Sequence, residues 1–146
     1  MPHIFSSVDE ALAAYPHGWP WEFFHPERDK MACSWTGQLV IVPEFMDRMD
    51  NLRRRFGKPI RPNSWYRSPE HNDAISTTGL NGPHTTGRAV DADVMGEDAV
   101  ELFVLAHSLG FTGFGPNQKG PHAARFLHLD DLQNGPGRPR PFLWTY

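Results

Sequence analysis

The chain has 146 residues, the length of about one domain, with 14 Lys and Arg against 17 Asp and Glu and a formal net charge of −3. No run of like charges stands out beyond Arg53, Arg54 and Arg55, which argues against nucleic acid as a partner. A lone cysteine, Cys33, excludes a disulfide-stapled scaffold and reads as a small buried side chain, and no stretch reaches the ~20 apolar residues of a membrane span.

The N-terminus, Met1 to Ser7, lacks the basic and apolar regions of a secretory leader, so a soluble chain made in the cytosol is expected. Residues 1–32 are rich in aromatics (Tyr15, Trp19, Trp21, Phe23, Phe24) and read as an extension packed on a single domain of residues 33–146, with a short helix near Val8–Tyr15. Residues 43–56 read as a helix. Pro43 suits its first turn, and Phe45, Met46, Met49, Leu52 and Phe56 recur at helical spacing. Arg53 to Arg55 answer the negative end of its dipole, and Gly57 ends it.

Residues 59–66 look extended. Ser68-Pro69-Glu70 reads as an N-cap followed by proline at the first helical position, starting a short helix through Ile75. Ser76 to Pro83 is a polar loop, and residues 87–94 read as a strand. Glu97 to Leu109 is a second strong helix, whose expected apolar face is Val100, Phe103, Val104, Leu105 and Leu109. Phe111–Gly115 and Phe126–Leu129 read as short strands, and Gly135–Tyr146 as a docked tail. The sum is an α+β domain: a small antiparallel or mixed sheet with helices packed on one side.

Eight histidines make histidine alone uninformative, and the neighbours carry the signal. In His84-Thr85-Thr86-Gly87-Arg88-Ala89-Val90-Asp91, a loop histidine precedes a strand carboxylate by seven residues, and Gly87 permits a tight turn between them. The two meet on one ion if the loop folds back onto the strand, where Ala89 leaves room on the face of Asp91. In Arg125-Phe126-Leu127-His128-Leu129-Asp130, His128 and Asp130 share one strand face while Leu127 and Leu129 take the other. Taken alone, that pattern is either a metal-binding face or the polar side of an edge strand.

Together, H-x-x-G-x-A-x-D and the later F-L-H-L-D resemble the zinc D-alanyl-D-alanine carboxypeptidase and endopeptidase family, peptidase family M15, and its short phage and bacterial peptidoglycan-peptidase branch. Asn63-Ser64-Trp65-Tyr66-Arg67-Ser68 resembles that family's Ser-Gly-Tyr-Arg segment, with Trp65 in place of the usual glycine, and Gly110 to Gly115 is similar as well. The likeness spans Cys33 to Asp131. It implies a fold like that of the hedgehog signalling domain and the D,D-peptidases. It implies Zn2+ held by His84, Asp91 and His128, with Arg67 facing the substrate carbonyl or carboxylate.

The resemblance leaves the general base open. Many members carry an acid three residues before the last ligand, and Arg125 holds that place here. Asp130 is the first substitute, as base or as a partner that orients a ligand histidine, and His122 is the second. The expected function is hydrolysis of an amide bond in the peptidoglycan stem peptide, by a monomer without membrane insertion, encoded by a phage and acting on the cell wall. The alternative is a non-catalytic zinc-containing wall-binding or phage structural module of the same fold.

Overall fold

A computed structural model describes residues 3–146; Met1 and Pro2, where the N-terminal reading begins, lie outside the described residues. The chain runs β1 (His3–Phe5), α1 (Val8–Ala13), β2 (Leu39–Ile41), α2 (Pro43–Phe56), β3 (Pro62–Ser64), α3 (Pro69–Ile75), β4 (Ala89–Ala92), α4 (Gly96–Ser108), β5 (Gly113–Asn117), β6 (Phe126–Asp130) and β7 (Phe142–Leu143). This is a small α+β fold with two open sheets. One is a β1–β2 ribbon, and the other has the order β3-β4-β6-β5-β7. Its pairs are antiparallel except β5–β7, which is parallel. No described helix is long and apolar enough to cross a membrane.

Helix α2 forms where its periodicity predicts. Phe45, Met46, Met49, Leu52 and Phe56 are buried, and Gly57 closes the helix at φ +73°, a left-handed value that favours glycine. Ser68 caps α3 by accepting the amide hydrogen of His71, with Pro69 at the first turn.

Helix α4 has the predicted extent but turns a different face inward. Ala99, Leu102 and Ala106 are buried, whereas Val100 and Val104 are 65 % and 59 % exposed. Small side chains let α4 approach α2 and the sheet closely, and close packing there outweighs the greater apolar area of the two valines.

The core gathers Leu39, Ile41, Phe45, Met49, Leu52, Trp65, Val90, Leu102, Phe111, Leu127 and Leu129. The segment before Cys33 adds Phe5, Ala11, Trp21 and Phe24 to it. The Asp50 carboxylate fastens this segment by accepting the amide hydrogens of Glu22 and Phe23.

Candidate metal centre

Strands β4 and β6 pair with Asp91 opposite His128 and Ala89 opposite Asp130, so these four side chains share one sheet face. Val90, Ala92, Leu127 and Leu129 point into the core on the other face. Strand β5 extends the rows, with Gly115 beside His128 and Gly113 beside Asp130. Asp130 is thus flanked by small residues on both sides, and His128 by Asp91 on one side and Gly115 on the other.

His84 comes from a single 3-10 turn, Pro83–Thr86, stabilised by the Thr85 and Thr86 hydroxyls donating to the carbonyls of Gly82 and Pro83. Gly87 then turns the chain into β4 at φ +77°, where a Cβ would meet Val40 Cγ1 at 2.6 Å. Only glycine fits that position without displacing β2. His84 Nδ1 lies 2.7 Å from the Trp65 carbonyl oxygen. A carbonyl only accepts, so Nδ1 carries the hydrogen and Nε2 keeps its lone pair.

Nε2 of His84 and Nδ1 of His128 lie 3.3 and 3.0 Å from the same oxygen, Oδ1 of Asp91. The three donor atoms all fall within 4.8 Å of one another, a group that can hold a metal ion. Separations near 3.3 Å match the edge of a tetrahedron with metal–ligand bonds of roughly 2.0–2.1 Å. All three residues are buried, yet all three line one cleft of about 770 Å³.

Electrostatics in this cluster follow from burial and pairing. Burial pushes the His84 pKa down, against the opposing pull of Asp91. Burial opposes the charge on His128 as well, but Asp130 and Asp91 outweigh it and raise its pKa. For Asp91, burial works upward and the two imidazoles overcome it, holding the carboxyl far below the usual range.

Asp130 stands behind His128. Its Oδ2 is 2.8 Å from His128 Nε2, and Arg140 donates from Nε to Oδ1 at 2.9 Å and from Nη2 to Oδ2 at 2.8 Å. The Leu132 amide also donates to Oδ1. These contacts fill the carboxylate's roughly four acceptor positions. Asp130 is fully buried; burial pushes its pKa up, but His128 and Arg140 bring it down to about 2.

Arg67 lines the cleft wall. Its Nη2 donates to Asp91 Oδ2 at 3.3 Å, Nε to Ser64 Oγ at 3.1 Å, and Nη1 to Asn72 Oδ1 at 3.2 Å. Ser76, Thr77 and Thr78 border the same cleft, while Arg138, Arg140, Phe142, Trp144 and Tyr146 of the tail form its far side. Trp144 packs its ring 4.8 Å from that of His128 and fills the space that Gly115 leaves open.

Of the residues singled out in the sequence, the fold brings His84, Asp91, His128 and Arg67 to one cleft and sets Asp130 behind them. His122 lies exposed on the 3-10 turn His122–Ala124 and is no part of the cleft wall. Trp65, which stands where the family has glycine, is a core residue. Arg140, Trp144 and Tyr146 carried no periodic signal in the Pro-rich tail. The available clue was Gly113-x-Gly115, two missing side chains on one strand face, which mark a close approach by something else.

A family model described as Peptidase M15 matches residues 24–130. Neither the curated proteins nor the solved structures give a match.

Proposed function

The chain belongs to the peptidase M15 family, and on that premise we propose that it is a zinc-dependent peptidoglycan peptidase. It hydrolyses an amide bond of the stem peptide, as a D,D-carboxypeptidase or as an endopeptidase of the endolysin type. The observation that carries this reading is the convergence of His84 Nε2, Asp91 Oδ1 and His128 Nδ1 in an open cleft. Two imidazole nitrogens and one carboxylate oxygen suit zinc and leave a coordination position for chemistry. When bound, zinc supplies Lewis-acid polarisation of a carbonyl and acidifies water towards a pKa of about 7.

The chain's own groups account for the rest. Arg67, fixed by three side-chain bonds, offers preorganised positive charge where an oxyanion develops. Arg67, Arg138 and Arg140 line the cleft; Arg67 is paired with Asp91 and Arg140 with Asp130, and among the described residues Arg138 has no such carboxylate partner. That cation favours peptides bearing carboxylates, as the stem peptide does. We assign Asp130 the positioning of His128 and not the uptake of a substrate proton, because its oxygens are already engaged. A phage-type lysin acting at the cell wall fits the reading.

One observation favours a second reading, a zinc-containing wall-binding module without turnover. Among the described residues, no Asp or Glu side chain besides Asp91 lines the cleft, and Arg125 occupies the position of the expected acid. Digestion of purified peptidoglycan by zinc-loaded and chelator-treated protein, read by mass spectrometry of the muropeptides, separates the two. New amine ends in the zinc-loaded digest alone support the peptidase. No release in either digest, with retention on the wall polymer, supports the binder.

A further inference from the structure

We infer that Arg140 is a positioning residue of the metal centre, acting through Asp130 to aim Nδ1 of His128 at the ion. This rests on the metal-binding reading of His84, Asp91 and His128.

A ligand imidazole is useful only in one tautomer and one orientation. His128 Nε2 must carry the hydrogen so that Nδ1 keeps a lone pair for the ion. Asp130, 2.8 Å from Nε2, accepts that hydrogen. A lone aspartate still rotates about two side-chain bonds, and its plane decides where the imidazole points. Arg140 removes that freedom by gripping both oxygens at 2.9 and 2.8 Å, the two-pronged geometry that fixes a carboxylate plane.

Arg140 is itself held from both sides. Its amide donates to Asn134 Oδ1 and its Nη1 to the Pro139 carbonyl. Beyond it, the Phe142 amide donates to the Thr112 carbonyl and the Trp144 amide to that of Phe114, locking β7 onto β5. The sheet leaves space for the arrangement. A Cβ on Gly113 would lie 2.2 Å from Asp130 Oδ2, and one on Gly115 would lie 2.4 Å from the Trp144 indole nitrogen. His128 is therefore held at Nε2 by Asp130 and packed by the tilted ring of Trp144. Both Arg140 and Trp144 lie beyond the stretch that matches the family, residues 24–130, so the tail completes a centre whose ligands lie within it.

The test measures zinc affinity by competition with a chromophoric chelator, together with the visible spectrum of the cobalt(II)-substituted protein. Wild type is compared with Arg140→Ala, Arg140→Lys, Asp130→Asn and the double variant Arg140→Ala/Asp130→Asn. Loss of a group that orients a ligand weakens metal binding by about 10–100-fold. Arg140→Ala is expected to weaken zinc binding about tenfold or more and to alter the cobalt(II) spectrum. Arg140→Lys, which keeps the charge without the two-pronged grip, should fall between.

In the Asp130→Asn background, removing Arg140 should add little, because the route through Asp130 is already broken. Wild-type affinity and spectrum in Arg140→Ala overturn the inference, as do losses that simply add in the double variant. If Arg140→Ala does not fold, Arg140→Lys decides by the same two readouts. The outcome is independent of hydrolysis: a protein that binds zinc but cuts nothing still tests it. Wild-type protein that binds no zinc would instead refute the metal centre itself.

Discussion

Nη2 of Arg67 lies 3.3 Å from Oδ2 of Asp91, the carboxylate whose other oxygen faces both imidazoles. One guanidinium thus touches the ligand set and the cleft at once. Arg67→Ala is expected to lower kcat by about 10²–10³-fold, the loss typical of a removed oxyanion donor. Arg67→Lys should recover little, since a single ammonium cannot keep the bonds to Ser64, Asn72 and Asp91 together. Steady-state kinetics on a stem-peptide substrate check both, and wild-type kcat in Arg67→Ala would contradict the role.

His84→Ala, Asp91→Asn and His128→Ala should each abolish stoichiometric zinc binding and hydrolysis together, as metal analysis and the muropeptide assay would report. Zinc at a hundredfold excess over its Kd stabilises a native site by about 2.7 kcal/mol. At about 2–4 °C per kcal/mol for a chain of this size, wild type should melt about 5–10 °C higher with zinc. The three variants should show no such rise.

Zinc affinity should fall as the solution is acidified. The His128 pKa is raised because Asp130 and Asp91 overcome the effect of burial, so the ion must displace a proton from Nδ1. Below that raised pKa, affinity drops by about tenfold per pH unit for one proton, and above it the affinity levels off. Burial lowers the His84 pKa, so its proton competes with the ion only at lower pH than that of His128. For the apo protein the sign reverses: protonated His128 stabilises it below about pH 6.5, and the gain is lost as pH rises through the raised value. Zinc titrations at several pH values between 5 and 8 would show the slope, and a flat profile would contradict the assignment.

Gly113→Ala should destabilise the fold by about 1–3 kcal/mol, the usual cost of overpacking, because the new Cβ meets the Asp130 carboxylate. The same substitution at Gly135, where the nearest atom is the end of the Arg138 side chain at 3.8 Å, serves as a control and should leave stability nearly unchanged. Urea unfolding of both variants gives the comparison.

Much of this arrangement was legible in the residues because short-range rules wrote it. Alternation in Phe126-Leu127-His128-Leu129-Asp130 put histidine and aspartate on one face, and the paired strands do the same. Helix α2 was readable from its apolar spacing and its glycine stop. The face of α4 was not, because Val100 and Val104 are apolar by composition while Ala99 and Ala106 are buried by tight packing. The β1–β2 pairing joins segments far apart in the chain, and β7 lies in a proline-rich stretch. Neither has local periodicity to announce it. Arg140 and Trp144 belong to the same class: their meaning lies in what Gly113 and Gly115 leave open across the sheet.

Because Asp91 and His128 face each other across a hydrogen-bonded strand pair, the backbone ladder sets their spacing before any cation arrives. Removal of a bound cation is therefore expected to leave this strand pair in place, unlike the zinc fingers that collapse without theirs.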